Sequence, residues 1–163
     1  MKIALFLLAA MLSLAPARAQ VANEQSYTGH LEYHNQVEFV TIPISSGLGN
    51  LRVWTDSYAN SANIDPIITV WHNGVKIGMN DDNPTFTPFQ TSRDSGIALP
   101  ALPWGSYVVT ITAYPNFPLG NLLENGFAYD SQTPATIEVW CQPGHPGPGC
   151  YTRHHISLHW TID

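Results

Sequence analysis

Positive charge is scarce in this chain: Lys and Arg together number 6 against 12 Asp and Glu, and 11% of the 163 residues are charged. A surface so short of cations is a poor match for nucleic acid or an anionic membrane. Cysteine is scarcer, at two residues, too few for a disulfide-dense scaffold or a four-thiolate zinc site. No segment sustains a 3.6-residue apolar period after residue 20, and low-complexity tracts and internal repeats are absent. The motifs of common hydrolases are missing too. There is no G-x-S-x-G and no H-E-x-x-H, and no acidic spacing around a glycine of the EF-hand kind.

What is present begins with an export segment. Lys2 precedes an apolar run from Ile3 to Ala15, and Ala17-Arg18-Ala19 offers an A-x-A cleavage site. A membrane-spanning helix asks for about 20 apolar residues, and Pro16 and Arg18 break this run too early. Residues 1–19 are therefore expected to be cleaved, leaving residues 20–163 as one domain, periplasmic or extracellular, with no membrane insertion afterwards. Lys2 and Arg18 leave with the segment, taking the formal charge from −6 to about −8. Export into an oxidising compartment predicts a disulfide between Cys141 and Cys150. It would close the Pro- and Gly-rich loop 142–149, a constraint of roughly 2.5–3 kcal/mol in the chain-entropy account.

Short period-2 runs separated by Gly, Pro, Asn and Asp clusters predict an all-β domain. Strands are expected over 26–33, 37–44, 50–55, 66–72, 75–79, 95–99, 106–114, 135–141 and 151–162. About nine short strands suggest a two-sheet antiparallel β-sandwich. In the last run, Ile156, Leu158, Trp160 and Ile162 alternate with His155, Ser157, His159 and Thr161, one face for the core and one for water. The segment from Pro115 to Pro134 is long and irregular but carries Phe117, Leu122, Leu123, Phe127 and Tyr129. Such a segment should fold back over an edge of the sandwich.

The most informative stretch runs from Asp65 to Asp94. Asn73-Gly74 is a strong signal for a type I′ hairpin, because both central residues need positive φ. With His72 opposite Val75, the simple register places Val70 against Ile77, Ile68 against Met79, Pro66 against Asp81 and Asp65 against Asp82. Ile68, Val70, Val75, Ile77 and Met79 then share the apolar face, and Trp71 and Lys76 the other. Directly opposed carboxylates about 5 Å apart repel, which predicts a cation between them. Asp65, Asn80, Asp81, Asp82 and Asp94 offer the oxygen chemistry that calcium takes.

Three further readings follow from the residues. Trp54, Trp71 and Trp140 fall on polar faces and are candidate ligand-facing aromatics, for a carbohydrate or a protein surface. Among the seven histidines, His155 and His159 lie on the order of 13 Å apart along a strand, too far to share one ion. His30 and His34, with Glu32 between them, repeat that spacing, so the histidines are expected to be solvated sheet-face residues. No activated nucleophile is legible, and a cation occupying the Asp65–Asp82 pair explains it more simply than an acid–base pair.

The series Tyr27-Thr28-Gly29-His30-Leu31, Val37-Glu38-Phe39, Asp65-Pro66 through Asn80-Asp81-Asp82, Arg93-Asp94-Ser95 and Leu102-Pro103-Trp104-Gly105-Ser106-Tyr107 resembles bacterial pre-peptidase C-terminal (PPC) domains, and a related family of exported bacterial proteins. The resemblance spans about residues 26–128 and implies a jelly-roll-like β-sandwich, often calcium-dependent, that accompanies secreted enzymes or binds surfaces without catalysing a reaction. Asp65, Asp81, Asp82 and Asp94 match the acidic positions of that pattern, and Asn116 an Asn after the Tyr107 strand. The reading is thus an exported, non-catalytic binding or accessory module with a structural calcium. A carbohydrate-binding module using the Trp residues is the alternative, and a secreted hydrolase ranks third.

Overall fold

The computed structural model describes residues 21–59, 63–143 and 153–163. The expected signal segment and Cys150 lie outside them. Cys141 is not a free thiol, and the expected bridge reaches beyond the described residues.

Six strands form, β1 (Gln25–His30), β2 (Glu38–Thr55), β3 (Pro66–His72), β4 (Val75–Asn80), β5 (Gly96–Ala113) and β6 (His155–Ile162), with one 3₁₀ turn at Leu123–Asn125. All pairs are antiparallel, in the order β1-β6-β2-β5-β3-β4. The all-β expectation holds, with fewer and longer strands. Two pairs of expected strands have fused: 37–44 with 50–55 in β2, and 95–99 with 106–114 in β5.

These two 18-residue strands turn one sheet into two layers. Their pairing shifts register between Ile44 and Leu48 and again between Gly49 and Leu51, where Gly47 (φ 66°) and Ala101 (φ 55°) take left-handed conformations that bend a strand without ending it. The first half of β2 packs with the second half of β5, β3 and β4; the second half of β2 packs with the first half of β5, β6 and β1. The layers meet face to face. A Cβ on Gly78 of β4 would lie 3.2 Å from Ile97 and 3.3 Å from Leu99 of β5, although β3 and the far half of β5 separate them within the sheet. Ile42, Val70, Val109 and Ile111 from one layer join Leu51, Val53, Ile156 and Leu158 from the other in one buried cluster. The register shifts also explain a change of phase: even-numbered residues point inward from Val40 to Ile44, and odd-numbered ones at Leu51 and Val53.

The Pro115–Pro134 segment covers the β4 edge as expected. Lys76 N–H donates to Asn121 O (2.8 Å), Leu123 N–H donates to Gly74 O (2.8 Å), and Val75 bridges Leu122. It also roofs the outer face of β3 and β5, where Thr69, Thr110 and Thr112 are buried, Thr112 Oγ1 donates to Asn116 O (2.8 Å) and Phe127 meets Trp71. The expected strand over 135–141 does not form. Its one ladder contact is the Tyr33–Thr136 bridge, and Trp140 turns back against the rings of His34 (5.2 Å) and Tyr129 (6.1 Å).

Candidate metal centre

The hairpin turn is as read: Asn73 and Gly74 have φ of 50° and 75°, and His72 pairs with Val75. Beyond Trp71–Lys76 the register departs from the simple one. Ile77 is an extra residue on β4, so Val70 faces Gly78 and Ile68 faces Asn80, where Ile77 and Met79 were expected. The bulge has a packing reason. It lets Ile77 turn toward the core and places the side-chain-free Gly78 beneath Ile97 and Leu99. It also moves Met79 outward, leaving it 43% exposed, with Val75 at 45%, so neither joins the apolar face expected of them.

The direct Asp65–Asp82 pair is therefore replaced by a cluster of three. One carboxylate oxygen from each of Asp65, Asp81 and Asp82 lies within 4.8 Å of the others, in a cleft of about 210 Å³ that Arg93 and Tyr114 complete. Asp65 is 2% exposed. Its Oδ2 accepts from Arg93 Nη1 at 2.9 Å, but its Oδ1 and Asp81 Oδ1 are buried with no hydrogen-bond partner. Behind them, the carbonyl oxygens of Pro66, Asn80 and Asp81 all lie 2.7–2.9 Å from Ser95 Oγ, a hydroxyl with one proton to give. Three of the cleft's five lining residues are carboxylates and one is a cation.

Its electrostatics follow. Burial pushes the Asp65 carboxyl up to about 6, opposed by the hydrogen bond and charge of Arg93, reinforced by the charge of Asp82 and opposed again by the neighbouring Gln142 amide. Burial, reinforced by the charges of Asp65 and Asp82, pushes Asp81 up to about 7. Three carboxylates against one guanidinium leave an excess of negative charge that a divalent cation would neutralise.

Asn80 and Asp94, also expected as ligands, have other work. Asn80 Oδ1 accepts from Gly96 N–H (2.9 Å), joining the end of β4 to the start of β5. Asp94 Oδ1 accepts from Thr55 Oγ1 (3.1 Å) and Tyr58 N–H (3.0 Å), and its Oδ2 from Thr91 N–H (2.7 Å) and Thr91 Oγ1 (3.0 Å). It is a completely satisfied buried carboxylate holding a turn against β2. Arg93 and Tyr114 stood outside the sequence-derived ligand set, because nothing in spacing or periodicity reveals that residues 28 and 49 positions beyond Asp65 close the same cleft.

The three candidate aromatics are not free rings. Trp54 and Trp71 are each 1% exposed. Trp54 is sandwiched between Phe86 (6.0 Å) and His159 (5.7 Å); Trp71 donates to Thr110 Oγ1 (2.9 Å) and meets Phe127 edge-on. Trp140 is half-buried as described. The exposed tryptophan among the described residues is Trp104, at 72%, in the bend of β5. Two histidines expected in solvent are also buried. His34 Nε2 lies 2.9 Å from Gln132 Oε1. His159 Nδ1 lies 2.6 Å from Glu24 Oε1 and its Nε2 3.1 Å from Asp56 Oδ1. Ser157 Oγ is 2.8 Å from that Nε2, which gives Ser157, His159 and Glu24 the distances of a hydrolytic relay. Asp56 Oδ1 stands at the same Nε2, however, which suits an N–H at that atom rather than a lone pair open to a serine proton.

No protein-family model matches the chain, and no curated protein matches it. Among solved structures, PliG of Aeromonas hydrophila, a periplasmic inhibitor of g-type lysozyme, is similar at 10% identity with a TM-score of 0.48, over 86% of this chain and 87% of that one. The pre-peptidase C-terminal domain of a Bacillus anthracis collagenase is similar at 10% identity and a TM-score of 0.43, over 86% and 89%. Likeness of this degree carries nothing about what this chain binds.

Proposed function

We propose that the chain is an exported, non-catalytic binding or accessory β-module whose hairpin end is held by a calcium ion between Asp65, Asp81 and Asp82. The observation that carries this reading is the pair of buried, unpartnered carboxylate oxygens, Asp65 Oδ1 and Asp81 Oδ1, within the three-carboxylate cluster. An unpaired buried carboxylate oxygen is costly, and a hard cation that takes six to eight oxygens removes the cost. The donor set fits such an ion, being all oxygen, with water and backbone carbonyls completing the shell. A soft metal would want thiolate or imidazole.

The ion would join the residue before β3 to the residues after β4 and fix the start of the 81–94 loop. Its part is structural, and the exposed remainder of the surface, including Trp104, is left for a protein or carbohydrate partner.

Calorimetric titration of chelator-treated protein with Ca²⁺ near pH 8 tests the site. One ion per chain is expected, with binding lost in Asp81→Asn. Absence of binding heat, or equal binding by Asp81→Asn, would remove calcium from the reading.

A further inference from the structure

A second cleft, of about 240 Å³, is lined by His30, Arg153, His154 and His155. The topology builds it. Antiparallel pairing of β1 with β6 sets the last residue of β1, His30, directly opposite the first residue of β6, His155, and Arg153 and His154 immediately precede β6. The cleft thus concentrates three of the chain's seven histidines and one of its six Lys and Arg residues, in a protein with 12 acids. Directly opposed imidazoles repel once both are protonated, and an anion between them would relieve that repulsion.

The imidazoles are oriented. His154 Nδ1 lies 2.9 Å from Leu31 O, where an N–H must donate, and its ring meets His30 edge-on at 5.5 Å. The acidic neighbour is Glu138, whose Oε1 stands 3.5 Å from His154 Nε2; its side chain is 47% exposed, so it balances the cleft from the rim. Burial, and then the charges of His30, Arg153 and His154, hold the His155 ring below its ordinary range. Among the described residues, the cluster that brings three ligand atoms within bonding reach of one metal is the aspartate one. A guanidinium in the wall opposes a cation further. The lining itself carries no carboxylate, and Glu138 stands at the rim.

We infer that the His30–Arg153–His154–His155 cleft is a binding site for an oxyanion, a phosphate or carboxylate group on a small ligand, gripped by Arg153 and by imidazoles that gain their second N–H as the pH falls. Arg153 supplies the permanent charge and planar donors, and the histidines supply charge that depends on pH. Binding strengthens as the pH falls, since an imidazolium donates from both nitrogens and a neutral ring from one; His155, held below its ordinary range, joins only at the acid end. Glu138 competes for His154 at every pH at which its carboxylate is ionised. This site is independent of the calcium reading, since it shares no residue with the aspartate cleft.

The test is a titration followed by ¹H–¹⁵N spectra of the imidazole side chains, with inorganic phosphate in one arm and glucuronate in the other. Sodium chloride at matched ionic strength is the control. Saturable shifts confined to His30, His154 and His155 at pH 5.5 are expected, with at least about a tenfold weaker apparent Kd for both anions in Arg153→Gln and, for glucuronate, whose charge is the same at both pH values, at pH 8, the scale of one lost charge-assisted contact. Saturation in both arms assigns a general oxyanion site; saturation in one assigns that group. Arg153 is exposed, so its variant should fold, and His30→Gln is the second variant. The inference is overturned if chloride reproduces the shifts, if both anions leave these resonances in place, if glucuronate affinity is equal at pH 8, or if Zn²⁺ saturates the three rings and the anions do not.

Discussion

Asp94 and Asp81 are both acids of the same end of the molecule, and the protein treats them oppositely. Four donors from β2, the turn after it and Thr91 converge on Asp94. Asp81 keeps a buried oxygen with no partner and sits beside two more carboxylates. Charge alone does not mark a cation site; the supply of donors around it does. Where the backbone brings N–H and O–H groups, a carboxylate is a cap. Where it brings carbonyls and other carboxylates, the missing positive charge has to come from outside or the proton has to stay on.

Asp94→Ala should have the largest effect on stability. It strands the Tyr58 and Thr91 amides together, costing about 3 kcal/mol or more. Denaturation should give the same loss in chelator and in calcium. A loss confined to calcium-containing buffer would make Asp94 a ligand after all and erase the contrast.

Next in size is the pH dependence of the calcium-free protein. The folded chain holds the Asp65 and Asp81 protons up to about 6 and about 7, against the 3.8 of an ordinary aspartate. Their contribution to stability is therefore complete below about 3.8 and is lost as pH rises through 6 and 7. Melting in chelator should give a lower Tm at pH 8 than at pH 5, and Asp81→Asn should flatten the slope while raising the Tm at pH 8. A Tm that climbs between pH 5 and 8 in chelator, and climbs equally in the variant, would break this part of the account.

Arg93 is the cation that the cleft already holds. Its guanidinium occupies Asp65 Oδ2 and competes with an entering ion, so Arg93→Gln should tighten calcium several-fold while lowering the Tm in chelator; weaker binding in this variant would mean that Arg93 assists the ion. Asp82 is exposed, and solvent screens its charge. Asp82→Asn should weaken calcium only a few-fold and leave the Tm in chelator within about 1 °C.

The division between what was legible and what was not follows from range. The hairpin could be read because Asn73 and Gly74 fix it locally, and Asp65, Asp81 and Asp82 follow from the hairpin. The bulge at Ile77 was not legible, because its cause lies across the sandwich at Ile97 and Leu99. Gly47 and Pro103-Trp104-Gly105 read as strand ends, since local chemistry looks the same whether a chain bends or stops; only the continued pairing of β2 with β5 tells the two apart. Trp54, Trp71 and His159 were assigned to solvent by alternation, which describes two faces but not the loop or residue that covers the second. Arg93, Tyr114 and the His30–Arg153–His154–His155 cleft arise from pairings between distant segments that period and spacing do not encode.

If a cation from outside completes the aspartate cleft, thermal melting in chelator and in saturating Ca²⁺ at pH 8 separates the wild-type chain from Asp81→Asn. At about 100 times Kd the ion adds about 2.7 kcal/mol, a rise of about 8 °C for a domain of this size, and the variant should show none of it. A wild-type Tm that stays the same from chelator to millimolar Ca²⁺, or a rise that Asp81→Asn retains in full, would contradict the account.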